Sequence, residues 1–326
     1  MKAASRKKLL RRIRRASIHL AVATAYAVLY LVLVQVSDGL WAITAGLRLS
    51  FLLLTPYRFW PALLVAEAVP LGFHLPEIAQ HSGWTAAWLC ALPPIATGMP
   101  VVALFRRKGA LVMERGAINA GALISCALSL SVVWAAINYA ILWTAKAPPT
   151  EPVFHVNANQ FLMMLVGQYA GFVTMLPIVL VTVLNYRPLP IQQTVNQLAN
   201  SRLVTDMVLF LVPAIGLLFA LAPSCPQHVA SVCQILMFAV LAMLTVKHGW
   251  TAAAVGSAGI IATIALTGPA RACTGLMASQ AVACFAVTCL LLLGADRDGG
   301  LYLLRPAGEN TRTASTPCPT LAGRAP

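Results

Sequence analysis

The sequence predicts an all-α, polytopic integral membrane bundle of 8–10 transmembrane helices, and three observations carry that reading. The 326 residues are 59% hydrophobic and only 10% charged, whereas a soluble domain carries about 25% charged residues. Mean hydropathy is +0.79. The apolar residues fall in continuous runs, not alternating ones, and the bilayer admits only helices or closed barrels because backbone groups must be satisfied internally. Cations, Arg48 excepted, flank these runs instead of interrupting them.

The chain opens with a basic segment, residues 1–17, holding Lys2, Arg6, Lys7, Lys8, Arg11, Arg12, Arg14 and Arg15. Beside anionic headgroups such a cluster is a topology anchor. The Ile18–Val36 run that follows is long for a signal peptide and lacks a small-residue cleavage site before Asp38, so an uncleaved helix is expected. Apolar segments then recur at 18–36, 40–54, 59–73, 84–105, 117–143, 158–184, 203–222, 229–246, 250–267 and 273–294. The second and third are about 15 residues each, short against the ~20 that a span needs. They are read either as thin tilted helices or as a re-entrant pair, giving ten or eight crossings. The membrane domain is therefore placed at 18–294, with a tail, 295–326, whose Gly, Pro, Thr and Arg content predicts disorder.

Charge placement tests the alternation. Of 23 Lys and Arg residues, 20 fall in segments assigned to one side, Lys146 and Arg271 fall on the other, and Arg48 alone lies within a span. The positive-inside rule then puts both termini in the cytoplasm. The same placement argues against nucleic acid as the basic partner and for the lipid bilayer.

The richest stretch is residues 39–69. Trp41 and Trp60 are expected at opposite bilayer faces, Pro56 to break the helix and Arg58 to hold the turn inside. Arg48 near mid-span costs at least about 2.5 kcal/mol unless paired or wetted. Glu67, on the next segment, is the nearest acidic candidate inside an apolar segment, and an antiparallel hairpin brings the two to comparable depth. His74, Glu77 and His81 have metal-like spacing, and His74-x2-Glu77 would put two ligands on one helical face, but Pro76 disfavours a regular helix there and a third ligand is unassigned, so they are read as loop residues and no metal site is assigned.

Gly167 and Gly171 form a GxxxG spacing in a long helix that also holds Gln168 and Pro177, which predicts close helix approach, with Gln168 satisfied across the interface and a kink at Pro177. Asp206 is read as a helix-start carboxylate. Lys247-His248-Gly249-Trp250 is a very short turn leading into a small-residue helix suited to tight packing. Residues 187–202 are expected to form an amphipathic segment at the inner surface. Cys90, Cys126, Cys284 and Cys289 lie inside spans as packing residues, while Cys225, Cys233 and Cys273 lie near outer helix ends, where free thiols and a disulfide both stand open. No phosphate-loop, zincin, serine-hydrolase or kinase motif is present, and no cofactor is implied.

Trp41-x4-Gly46-Leu47, then Leu52-Leu53-Leu54, Pro56, Arg58 and Trp60-Pro61, resembles the early block of the first class of membrane-associated sensor domain, the MASE family. The Gly167–Pro177 helix resembles that family's G-D-x-x-G-x5-P block, with Gln168 where an acidic residue is common. His248-Gly249-Trp250, with the helix ending at Thr267-Gly268, resembles a third block. The resemblance covers about 18–294. It implies a non-enzymatic sensory domain in a bacterial inner membrane that binds a ligand or senses membrane state. Members pass the signal to a histidine kinase or cyclic-di-GMP enzyme. Residues 295–326 contain no GG[DE]EF sequence, so such an output partner would be a separate chain; homo-oligomerisation is left open. Arg48, Glu67 and Gln168 are the candidate ligand-binding or intramembrane polar residues. The rival reading is a secondary transporter, since ten spans divide into inverted halves of five.

Overall fold

The chain is described from a computed structural model over residues 2–37, 41–107, 117–145, 157–186, 201–221, 227–267, 273–297 and 301–302. It is a polytopic helical bundle. Its helices are α1 (Lys2–Val36), α2 (Ile43–Leu54), α3 (Trp60–Ser82), α4 (Trp84–Ala91), α5 (Pro94–Arg107), α6 (Ala120–Thr144), α7 (Ala158–Tyr186), α8 (Arg202–Asp206), α9 (Val212–Leu221), α10 (Gln227–His248), α11 (Trp250–Thr267) and α12 (Cys273–Arg297). A π-helical turn, Met207–Leu211, joins α8 to α9. Among the described residues, five helices are long and apolar enough to cross a bilayer, six if the bent α4–α5 pair counts as one span. Three shorter apolar helices, Ile43–Leu54, Val232–His248 and Trp250–Ile264, lie among them.

Helix α7 is the central element. In its span 61% of residues are buried, against 11% for α1, which lies at the periphery with an apolar face turned outward. One core is built around α2, α6 and α7, closed by α1, α3 and α5. A second joins the π turn with α10, α11 and α12. Large apolar side chains such as Val69, Phe73, Trp88, Val208 and Phe285 face outward, as expected where lipid rather than water is the solvent.

The two short segments separate into different things. The first is α2, 12 residues long and so about 18 Å at 1.5 Å per residue. It is enclosed: every residue from Ile43 to Ser50 is buried. The second is part of a 23-residue helix, α3, which runs on through Pro70 and Pro76 to Ser82. The re-entrant pair is thus replaced by one short interior helix and one full-length helix. The expectation of a loop at His74–His81 is likewise corrected. Proline is tolerated inside membrane helices, and α3 runs on through both of its prolines.

The 84–105 segment is broken instead of continuous. Leu92 is extended, as residues before proline prefer, and Pro93-Pro94 restarts the chain as α5 at 46° to α4. Pro177 lies within α7, which continues to Tyr186. Gly249, at φ 70°, ends α10 in the left-handed conformation that favours glycine, and its N–H donates to the Thr245 carbonyl. The small-residue face of α11 packs as its composition predicts, with Ala252, Ala253, Ala254 and Ser257 buried.

Several contacts tie helix ends and their neighbours together. His19 of α1 meets Phe59. Arg106, at the end of α5, donates from Nη1 to the carbonyls of Leu52 and Thr55 at the end of α2. The two-residue strand β1 (Ala117–Ile118), just before α6, pairs antiparallel with β2 (Leu301–Tyr302), just after α12. The first residues of the predicted tail are therefore ordered: α12 extends to Arg297 and the chain then pairs with β1. The rest of the tail and the expected surface segment at 187–200 lie outside the described residues.

Candidate functional site

Arg48 and Glu67 meet. Nε of Arg48 donates to Oε1 of Glu67 at 2.6 Å, with the arginine side chain 8% exposed and the glutamate fully buried. The second glutamate oxygen is also used: Oε2 accepts from the backbone N–H of Ile95 at 3.0 Å. Ile95 is the second residue of α5, so Glu67 caps the helix that the Pro93-Pro94 break opens. A carboxylate at a helix N-terminus is favourable in its own right. One buried side chain on α3 therefore ties down both a charge on α2 and a backbone end on α5.

Arg48 is boxed by aromatic rings. Its guanidinium carbon lies 5.5 Å from the Tyr30 ring centroid and 5.4 Å from that of Trp134, within cation–π range. Tyr26, buried beside Tyr30, belongs to the same surround. Nη1 reaches Thr44 Oγ1 at a long 3.4 Å. Trp134 is fixed from the other side, its Nε1 donating to the Pro94 carbonyl and to Thr97 Oγ1, each at 3.0 Å. The start of α5, at the break, thus supplies both acceptors that hold Trp134 in place.

Gln168 does not join the ion pair. It lies on α7, 8% exposed, and its Oε1 is buried with no hydrogen-bond partner among the described residues. The expectation that a facing helix satisfies it is therefore corrected: the close approach of α7 to α2 is made by glycine and backbone instead. What Gln168 shares with Arg48 is a cavity of about 290 Å³, also lined by Thr44, Pro94, Trp134 and Asn138. The lining comes from the end of α1, the start of α2, the later part of α6 and the earlier part of α7, away from the face where Arg106 caps α2. A second, apolar gap beside Tyr169 and Trp250 holds only about 20 Å³, too small for an organic ligand.

The glycine seam holds the cavity wall. A Cβ on Gly171 would stand 1.8 Å from the Ala42 carbonyl oxygen, and one on Gly46 would stand 2.3 Å from the Gly171 carbonyl oxygen. The Ala42 N–H donates across to the Gly167 carbonyl at 3.1 Å. The GxxxG spacing thus does what it predicts, with α2 as its partner. Trp41 Nε1 adds a hydrogen bond to Thr174 at 3.2 Å, and Trp60 is buried against Tyr57 and Arg106. Trp60 is buried and serves packing, which corrects its assignment to headgroup anchoring, while Trp41 is half-buried.

Elsewhere, Asp206 ends α8 instead of starting a helix: Ser201 is the N-cap, accepting from Val204 N. The Asp206 carboxylate receives Lys247 Nζ and His248 Nε2, both at 2.6 Å, so its partners are the basic turn and not a helix dipole. His74 Nδ1 and Glu77 Oε2 lie 3.5 Å apart and exposed. Among the described residues no three His, Cys, Asp or Glu side chains gather as a metal site. Cys233 is a free thiol buried in the second core; Cys225 and the side chain of Cys273 lie outside what is described.

Sequence reasoning finds the Arg48–Glu67 pair and names Gln168, which lines the cavity with Arg48, but misses the rest of the site. Tyr30, Thr44, Trp134 and Asn138 are ordinary apolar-helix residues whose convergence no spacing announces. The Pro93-Pro94 pair is the one legible signal, since consecutive prolines within an apolar run mark a broken helix whose new N-terminus needs a partner. No family model matches this chain, and no curated protein or solved structure matches it either.

Proposed function

We propose that this chain is a non-enzymatic sensory protein of a bacterial inner membrane that binds a small ligand within its bundle and acts through a separate cytoplasmic partner. One observation carries the reading: three helices, α2, α3 and α5, converge on a single buried ion pair that borders a polar cavity. An ion pair in such surroundings is weak as a stabilising device, and intramembrane ionisable groups mark functional sites by default. A ligand that contacts Arg48 in one helix packing more strongly than in another shifts the population between the two. The resemblance of the Trp41–Pro61 and Gly167–Pro177 blocks to the MASE family supports the same reading. It names the partner class, a histidine kinase or a cyclic-di-GMP enzyme carried by another chain. The charge distribution supports N-in, C-in orientation, with the Arg106 face cytoplasmic and the cavity toward the outer side.

The test is in-cell crosslinking of the tagged full chain, followed by measurement of partner phosphorylation or cyclic-di-GMP level in wild type and Arg48→Ala. A kinase or cyclase crosslink, with output altered by the substitution, is expected. An Arg48→Ala protein with unchanged output and unchanged membrane stability overturns the assignment.

A secondary transporter is the second reading, favoured by the break between α4 and α5, because discontinuous helices line many transport sites. Uptake of radiolabelled solute by proteoliposomes holding the purified chain separates the two.

A further inference from the structure

We infer that the cavity beside Arg48 takes a small molecule of no net charge that presents a hydrogen-bond acceptor to Arg48 and a donor to Gln168, as an amino-acid zwitterion or a primary amide does. The inference deepens the sensory reading and rests on it.

Charge balance comes first. Arg48 is the only ionised residue in the cavity lining among the described residues, and Glu67 behind it already neutralises it at 2.6 Å. Both glutamate oxygens are occupied, one by Arg48 and one by Ile95 N–H, so Glu67 has little left to offer a ligand cation. A net anion would add a second negative charge to one buried cation, and a net cation would find no free counter-charge among the described residues. Burying an uncompensated charge is strongly unfavourable. A net-neutral guest avoids both penalties.

Hydrogen-bond demand then sets the pattern. Glu67 engages Nε of Arg48, and the terminal guanidinium nitrogens, which meet Thr44 at a long distance and the Tyr30 hydroxyl, carry further N–H groups that retain donor capacity toward the cavity. Gln168 is the opposite case: more than nine-tenths buried, it holds an acceptor oxygen with no partner among the described residues. Leaving a buried acceptor unmade carries the full desolvation penalty of that group. Arg48 asks for an acceptor and Gln168 for a donor, and both line the same cavity. If the Gln168 amide is turned, its N–H₂ serves the same guest through an acceptor, so polarity survives while net charge remains the discriminating property. Asn138 and the Trp134 ring supply a further polar contact and an apolar wall. At about 290 Å³ the space stands at the lower end of small-molecule pockets, which run from about 300 Å³ upward.

Four probes of similar shape separate the charge classes: L-valine (zwitterion), isovaleramide (neutral), isovalerate (anion) and isobutylammonium (cation). Each is titrated into the purified, detergent-solubilised full chain by calorimetry and by thermal melting. L-valine or isovaleramide is expected to bind with Kd on the order of 0.1 mM for so small a guest. The anion and the cation are expected to bind at least about tenfold more weakly, the 1.4 kcal/mol step of an unbalanced charge or lost hydrogen bond. Gln168→Leu is expected to keep the melting temperature while weakening L-valine and isovaleramide about tenfold. Gln168→Glu places a carboxylate in the lining and is expected to improve isobutylammonium relative to L-valine. Failure of both net-neutral probes to bind means the cavity holds water only and overturns the inference. Equal or tighter binding of isovalerate, or wild-type binding by a folded Gln168→Leu protein, overturns it as well. No partner is present in these titrations, so their failure leaves the crosslinking result untouched, and failure of the partner search leaves the titrations untouched.

Discussion

Glu67 holds Arg48 with one carboxylate oxygen and the N-terminus of helix α5 with the other. The arginine therefore cannot be removed without loosening the cap, and the cap cannot be removed without leaving a buried cation. Breaking either end of a buried pair strands its partner, at a cost of about 3–5 kcal/mol. Arg48→Ala and Glu67→Ala are each expected to destabilise the purified protein by that order. Arg48→Met with Glu67→Gln together should cost less than the sum of the corresponding single losses, because the introduced amide retains a carbonyl for Ile95 N–H and no charge is stranded. Chemical denaturation of wild type, Arg48→Met, Glu67→Gln and the double variant in mixed micelles, arranged as a double-mutant cycle, measures the coupling; additivity within about 0.5 kcal/mol would refute it.

Gly171→Ala is expected to open the seam between α2 and α7. The new methyl would meet backbone, the Ala42 carbonyl at 1.8 Å, and backbone cannot rotate aside as a side chain does. A loss of about 1–3 kcal/mol or more is the usual scale of overpacking. Gly72→Ala is the control: nothing lies within 4 Å of its added Cβ, and alanine is the better helix former by about 1 kcal/mol. Melting temperatures should move in opposite directions, down for Gly171→Ala and level or up for Gly72→Ala.

Arg106→Ala removes the cation that closes α2. Nη1 of Arg106 serves the carbonyls of Leu52 and Thr55 at 2.9 and 3.0 Å, and its guanidinium lies 4.4 Å from the Tyr57 ring centroid. Hydrogen bonds from a charged donor contribute about 1.5–3 kcal/mol, so a destabilisation of that order is expected. Arg106→Lys should recover only part of it, since one ammonium cannot reproduce the planar fork. Faster amide exchange at Leu54 and Thr55, seen by mass spectrometry, would locate the damage; no change there would place the role of Arg106 elsewhere.

Orientation is open to direct labelling. With both termini cytoplasmic, a cysteine placed at Ala147, beside Lys146, should react with a membrane-impermeant maleimide in whole cells. A cysteine at Ala4 should react only after the membrane is permeabilised. Both substitutions are made in a chain whose eight native cysteines are replaced by serine or alanine. The reverse pattern would invert the bundle and put the Arg48 cavity on the cytoplasmic side.

The solvent of this protein and its helical class are written in the amino-acid pattern. Continuous apolar runs and a 10% charged content leave the backbone no other way to satisfy its hydrogen bonds in a bilayer. The pattern also singles out Arg48 and Glu67, because a lone cation within a span must find a counter-charge and Glu67 is the carboxylate that lies inside the next apolar segment. Gly167 and Gly171 declare a close approach without saying to what. Everything else came from packing. It made α2 a short interior helix and α3 a long one, a distinction hydropathy misses because both runs are equally apolar. It turned the Pro93-Pro94 break into a helix end that Glu67 caps. It also brought Asp206 to His248, 42 positions away, and to the neighbouring Lys247. Local pattern encodes what a residue needs, such as a charge, a small neighbour or a partner. Which residue meets that need depends on how helices far apart in sequence pack, and in lipid that choice is made by shape and polar pairing, because apolar surface alone gives one helix no preference for another.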